Sequence, residues 1–280
     1  MNPTYPKFSV SMCVYGGDNP DFFDAAVNSI IDQSVPPNEL VLAVDGPIPD
    51  SIEAVIQKYR NRLKNAGIGF SVIYLRQNRG HGEARRTSFE HCTYDLIALM
   101  DADDLSVHDR FEQQLKLFAQ DASLSVAGGN IHEFIGDPSD CVGRRIVPQT
   151  DAEIKKYMQK RCPMNQVTVM FRKSDVAEVG GYVDWYCDED YYLWVRLELA
   201  GKKFANVPSK LCDVRVGEDM YRRRGGGKYF RSEARLQGYM LRHGLIGPMR
   251  YLINVSERLI LQVLMPNRVR GFVFQKLART

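Results

Sequence analysis

Apolar positions in the first hundred residues switch between two periods. Phe8 to Val14 alternates loosely and is rich in β-formers, which predicts a first strand. A polar loop follows from Tyr15 to Pro20. Beyond it, Phe22, Ala26 and Ile30, with Phe23, Val27 and Ile31, form a helical stripe that Asp21 is placed to cap. Glu39 to Val44 predicts a second strand, ended by Asp45–Gly46–Pro47. Helical spacing returns from Ile52 to Leu63. Phe70 to Leu75 predicts a third strand, Gly80 to His91 a helix, and the all-apolar run Leu96 to Met100 a buried fourth strand. Strands alternating with helices imply a parallel sheet of the nucleotide-binding kind, whose ligands sit at the carboxyl ends of the strands. Asp18, Asp45 and Asp101 all fall near such ends.

The second half is less regular. Ser125 to Ile135 and Gln166 to Phe171 predict strands. Tyr191 to Ala200 predicts a helix closed by Gly201. From Lys228 the pattern is helical, with a break at Pro266–Asn267. No internal repeat or interdomain linker stands out.

Composition narrows the class. The 280 residues, 44% hydrophobic, suit one large α/β domain or a core with an appendage. Phe8 to Tyr15 is too short and too polar for a signal peptide. No apolar run, Leu259 to Met265 included, approaches the ~18 residues that span a bilayer. The six cysteines are irregularly spaced without a CxxC pair, which favours reduced, buried thiols in a cytoplasmic protein over zinc or disulfides. The net charge of +3 hides an asymmetry. Residues 220–280 carry 13 Lys and Arg against Glu233 and Glu257; residues 1–219 carry 24 basic and 32 acidic side chains. A basic tail on an acidic body points to an anionic surface as partner, lipid or nucleic acid.

Three motifs carry candidate chemistry. Asp101–Ala102–Asp103–Asp104 sets three carboxylates directly after a buried strand. Carboxylates so crowded call for a cation, and hard oxygen ligands suit Mn2+ or Mg2+ bridging a diphosphate; the plainer alternative is a solvated acidic turn. Asp188–Glu189–Asp190 opens a helix beside Trp185, Tyr186 and Trp194. It reads either as favourable capping or as a general base near a carbohydrate site. Gly80–His81–Gly82–Glu83–Ala84–Arg85–Arg86 brings Arg85 to a helix start, where it either meets a phosphate or is an ordinary surface arginine. No GxGxxG follows the first strand and no GxxxxGK[ST] occurs, which disfavours a dinucleotide dehydrogenase and a P-loop NTPase.

In order, SVSMCVYGGD, the Asp45–Gly46 turn, GHGEARRTS, ALMDADD with HDRFEQQ, and GGYVDWYCDEDYYLWVRL resemble family 2 inverting glycosyltransferases. The resemblance covers roughly residues 8–225 and is closest to bacterial enzymes of capsule, exopolysaccharide or O-antigen synthesis. It implies a GT-A fold: an α/β, Rossmann-like, mostly parallel sheet flanked by helices. Residues 1–104 would form the nucleotide-binding half and 105–225 the acceptor half, with 226–280 a helical, basic amphipathic extension. It further implies that Tyr15 and Asp45 hold the nucleoside base, Arg85 helps place the donor, Asp101 lies near the ribose, Asp103 binds the metal and Asp190 is the catalytic base, with Asp188 and Glu189 the neighbouring candidates. Where the family often has Pro, this chain has His108. The implied reaction moves a sugar, with inversion, from a nucleotide-sugar, by family habit a UDP-sugar, to a saccharide acceptor.

Tyr221 to Lys228, with Arg222 and Arg223, reads as a lid over the diphosphate or as a solvated loop. Residues 251–280 mix apolar and basic side chains, the pattern of a helix lying on an anionic membrane or of a core-packing or dimerising helix. A polyprenyl-diphosphate-linked acceptor would suit the first, with the protein peripheral on the cytoplasmic face of the inner membrane. Two rivals are weighed. A sugar-1-phosphate nucleotidyltransferase would share the sheet and a metal aspartate, but Tyr15–Gly16–Gly17–Asp18 lacks its basic signature. A nucleic-acid-binding module would use the basic tail, but no RRM, zinc-finger or helix-turn-helix signature supports nucleic acid as a partner.

Overall fold

The computed structural model describes residues 5–183, 185–217 and 226–265. A nine-stranded sheet organises them. β1 (Phe8–Tyr15), β2 (Glu39–Asp45), β3 (Gly69–Tyr74) and β4 (Leu96–Met100) run parallel, linked by α1 (Pro20–Ile31), α2 (Asp50–Asn65) and α3 (His81–His91). The order is β3-β2-β1-β4, then β8 (Met170–Arg172), β6 (Leu124–Phe134), β9 (Lys203–Arg215) and β5 (Leu105–Ser106), with β7 (Cys141–Arg145) on β6. β5, β7 and β8 oppose the other six, so the sheet is mixed but mostly parallel. The chain winds from β1 outward to β3, then crosses back to β4 on the other side of β1. That reversal opens a crevice at the strand ends.

β2 and β4 are buried along their whole length because helices cover both faces, hence their unbroken apolar runs. One core cluster, with Val10, Met12, Ile30, Ile56 and Phe111, lies under α1, α2 and α4 (Arg110–Gln120). The other, with Ile97, Leu99, Trp194, Leu236 and Met240, joins the opposite face to α7 (Glu189–Leu199) and α8 (Gly227–Arg242). α5 (Asp151–Met158), α6 (Lys173–Glu178) and α9 (Pro248–Leu259) complete the helices used below.

Several expectations are corrected. Asn19, not Asp21, caps α1: its Oδ1 accepts from the backbone N–H groups of Asp21 (2.8 Å) and Phe22 (3.2 Å), while Pro20 occupies the first turn. Gln166 to Phe171 is not one strand but a 3-10 turn, Gln166–Thr168, before the short β8. The buried Asn165 donates to Gly129 O (2.8 Å) and the Thr168 hydroxyl donates to Asn165 O (2.7 Å). Such local bonds displace the strand ladder. The helical C-terminal region breaks between α8 and α9, where Gly244 takes φ 75° and Pro248 restarts the helix. The break expected at Pro266–Asn267 lies outside the described residues. All six thiols are free, but Cys141 and Cys187 are exposed rather than buried. His108 gains a role: its Nδ1 bonds Asp32 O at 2.7 Å and pins the loop after α1.

Candidate active site

β1, β2 and β4 deliver Tyr15, Asp45 and Asp101 to one edge of the sheet; Tyr15 and Asp45 are register partners. A cleft of about 680 Å³ opens there, its walls including Tyr15, Asp18, Asp45, His81, Asp101 and Asp103. Asp45 is buried and accepts from the backbone N–H groups of Arg79 (2.7 Å) and Gly80 (2.9 Å). These amides lie in the turn just before α3, and backbone N–H groups donate strongly to an ionised carboxylate. The turn beside it demands glycine. Gly46 has φ 85°, and a Cβ there would lie 2.5 Å from Asn78 N. Tyr15 leaves its ring 47% exposed.

Arg85 is buried and donates from Nη2 to Asp101 Oδ1 at 2.7 Å. Burial alone would raise the Asp101 carboxyl, but Arg85, then His81, outweigh it and hold it below the usual carboxylate range. The same guanidinium, ahead of burial, pushes the His81 imidazole down and keeps it neutral. The acidic turn divides its labour. Asp104 is turned inward and accepts from Arg215 N at 2.8 Å; burial, then Asp101 and Asp103, hold it well above the ordinary value. Asp103 is exposed at the cleft. Across from it, burial pushes Asp18 up to about 6, with Asp103 and Asp101 adding to the effect. Beneath the turn, the fully buried Arg110 donates to Leu99 O (2.7 Å) and to Gln114 Oε1 (3.1 Å). It fixes the end of β4 from below and supplies positive charge under the acids.

The three acids before and in α7 also part ways. Asp188 is buried toward α8 and α9, near Ser232, Glu233 and Arg258; burial, then Glu233 and Asp190, push it up to about 8. Glu233 in turn pairs with Arg258 at 3.1 Å and accepts from the Gln262 amide. Glu189 is half-buried and raised by burial, then by Asp190. Asp190 faces the other way. Its Oδ1 accepts from Tyr191 N at 2.6 Å, and its Oδ2 lies 3.2 Å from the Gln166 amide nitrogen. The Gln166 carbonyl accepts from Arg85 Nη1, with the amide oriented by those two neighbours. Cys187, just before the cluster, holds φ 59° although it is not glycine, a strained conformation of the kind found at functional turns.

Tyr15, Asp45, Asp101 and Asp103 thus line one cleft; Arg85 stands behind Asp101, and Gln166 joins Asp190 to Arg85. The aromatic lining expected for a sugar is corrected. Trp194 is fully buried, and Trp185 is 7% exposed, packed between Tyr192 (centroids 4.3 Å apart) and the Arg235 guanidinium (4.3 Å). Both are core residues, and Tyr186 is the exposed ring. Arg222 and Arg223 lie outside the described residues. Gln166, Arg110 and Gln114 hold positions that no local sequence motif names. The last two were detectable as polar residues four apart on the apolar face of a helix; Gln166 was hidden inside a presumed strand.

A Rossmann-like half with an acidic strand edge, joined to a half that presents a carboxylate at a helix start, defines a nucleotide-sugar transferase of the GT-A class. The model of glycosyl transferase family 2 matches residues 9–178, and the chain belongs to that family. It is 32% identical over 279 residues to the UDP-Gal:alpha-D-GlcNAc-diphosphoundecaprenol beta-1,3-galactosyltransferase of Escherichia coli, covering 100% of this chain and 99% of that protein. It is 31% identical to the amylovoran biosynthesis glycosyltransferase AmsE of Erwinia amylovora, covering 96% and 98%. Among solved structures, S. aureus TarS 1-349 in complex with UDP-GlcNAc superposes with TM-score 0.67 at 16% identity, covering 97% of this chain and 76% of that one. The mannosyltransferase PcManGT from Pyrobaculum calidifontis, in complex with GDP-Man and Mn2+, gives 0.64 at 15%, covering 93% and 71%. The protein is a nucleotide-sugar glycosyltransferase of bacterial surface polysaccharide synthesis. Family membership sets aside the nucleotidyltransferase and nucleic-acid-binding readings.

Proposed function

We propose that the enzyme transfers a hexose from a UDP-sugar to a polyprenyl-diphosphate-linked saccharide, with inversion and with Mn2+ or Mg2+. The observation that carries this is the line of side chains from Asp101 through Arg85 and Gln166 to Asp190. It sets the Asp190 carboxylate one amide away from Arg85, which supports Asp190 as the base. The Escherichia coli relative, whose name gives UDP-Gal as donor and a lipid-diphosphate-linked acceptor, supports the substrate classes.

In this reading Tyr15 and Asp45 hold the nucleoside base, and Asp101 takes the ribose side. Arg85 fixes Asp101 and adds positive charge near the diphosphate. Asp190 takes the proton of the acceptor hydroxyl as its oxygen attacks the anomeric carbon from the face opposite the diphosphate. The bond to the diphosphate breaks, and the nucleoside diphosphate leaves with that electron pair. One displacement turns an α-linked donor into a β-linked product. Among the described residues no three His, Cys, Asp or Glu side chains converge as a complete metal site. The donor set still fits a divalent cation. Asp18 and Asp103 crowd negative charge into a cleft that must admit a diphosphate, and Mg2+ is typically held by one or two carboxylates plus substrate phosphates. When bound, such a cation stabilises the leaving diphosphate as a Lewis acid.

No helix among the described residues is long and apolar enough to cross a membrane. An exposed apolar stripe, Met249, Leu252, Ile253, Ile260, Val263 and Leu264, runs along α9 and the turn after it. With the basic charge of residues 220–280 it supports peripheral docking on the anionic cytoplasmic face of the inner membrane. The test is a panel of nucleotide-sugars offered with polyprenyl-diphosphate-linked acceptors. The expected result is a lipid-linked product one β-linked sugar longer, together with free UDP. An α-linked product, or turnover confined to donors of other bases, overturns the proposal.

A further inference from the structure

Gln166 touches both halves of the site. It opens the 3-10 turn Gln166–Thr168, whose backbone is held by the Asn165 and Thr168 bonds described above and by Gln114 Nε2 donating to Thr168 O at 2.8 Å. Its half-buried side chain therefore leaves a rigid base. The orientation of its amide follows from what flanks it. A guanidinium offers only donors and an ionised carboxylate only acceptors, so the carbonyl turns to Arg85 and the NH₂ to Asp190.

We infer that Gln166 is a positioning residue for proton transfer: its amide holds the Asp190 carboxylate in one setting and in its ionised form, and ties that setting to the Arg85–Asp101 pair on the donor side. The inference rests on Asp190 being the base. Asp188 and Glu189 repel its charge from its own helix segment, and the Gln166 amide donates against that repulsion. A hydrogen bond donated to a carboxylate favours the charged form. Arg85 meets this carboxylate through Gln166, so the amide passes on the polarity of the guanidinium without neutralising the base.

Two substitutions in the full chain test this. Gln166→Met removes both bonds at similar volume. Gln166→Glu keeps the shape and the bond from Arg85 but, once ionised, offers Asp190 a like charge instead of a donor. The readouts are kcat against pH and UDP binding by calorimetry, with Asp190→Asn alongside. Gln166→Met should lower kcat about 10–100-fold, the usual worth of a hydrogen bond to a charged group. The acid limb of its kcat profile should move to higher pH, and that of Gln166→Glu further still, while UDP affinity stays near wild type. A purely packing role would leave the pH profile unmoved. Wild-type profiles in both variants, with Asp190→Asn inactive, overturn this inference alone. Near-normal turnover in Asp190→Asn overturns the base assignment, and this inference with it.

Discussion

Asp190→Asn and Asp188→Asn should have opposite consequences, because the fold sends these two neighbours in different directions. Asp190 lies on the Gln166–Arg85 side; Asp188 is buried against Glu233 and Arg258. Asn at 190 keeps the side-chain shape and one oxygen for the bond to Tyr191 N. Folding should therefore lose at most about 1–3 kcal/mol. Turnover should fall about 10²–10⁴-fold, the worth of general base catalysis, or about 3–5 kcal/mol of barrier. UDP binding should survive, since Tyr15, Asp45 and Arg85 are untouched. Asp188→Asn should keep turnover and alter stability instead. The Asp188 carboxyl is raised from 3.8 to about 8, so between those values the folded chain keeps a proton that the unfolded chain has lost. Wild-type stability is then full below the unfolded value and is lost as pH rises through about 8. Asp188→Asn removes that dependence and should gain relative to wild type toward about pH 9. Initial rates at saturating donor, and urea midpoints from about pH 5 to about pH 9, measure both. A dead Asp188→Asn beside a near-normal Asp190→Asn would move the base to Asp188. Two variants that only melt earlier would reduce the acids to a helix cap.

Asp103→Ala should abolish transfer, and EDTA should do so reversibly in the wild type, with Mn2+ or Mg2+ restoring the rate; full activity in thoroughly chelated enzyme refutes the metal. Gly46→Ala places a Cβ 2.5 Å from Asn78 N at φ 85°. It should cost about 1–3 kcal/mol in urea denaturation and raise the donor KM, because the same loop carries the amides that hold Asp45; unchanged values in both would refute the close approach. Paired Leu252→Glu and Ile260→Glu substitutions should reduce co-sedimentation with anionic vesicles while leaving turnover on a water-soluble acceptor intact. Equal binding would assign the stripe to another contact.

The nucleotide half was legible because its signal is local. β1 to β4 each announce themselves by burial or alternation, and the acids follow the strands by chain continuity alone. The other half depends on contacts across the chain. Gln166 lies in an apolar stretch that reads as a strand until Asn165 and Thr168 bend it, and nothing near it in sequence names Arg85 or Asp190 as partners. Trp185 and Trp194 look like sugar platforms beside acidic residues. They became core because they share one cluster with Leu236 and Met240 of α8, far downstream in sequence, and Arg235 of the same helix covers Trp185. His108 follows the same rule: its use is to reach Asp32 O, a contact no local pattern records.

The junction of Asp188 with Ser232, Glu233 and Arg258 bears on how this enzyme can be recombined with its relatives. The segment carrying Asp190 lies beyond the stretch matched by the family model, and it rests on α8 and α9. A chimaera spliced ahead of α7 would keep Asp190, the proposed base, together with α8 and α9. One spliced between α7 and α8 would leave the Trp185 and Trp194 packing and the buried Asp188 against foreign side chains. Any splice ahead of β9 also divides that strand from its partners β6 and β5, so a chimaera must match those strands as well as the Arg85–Gln166 pair.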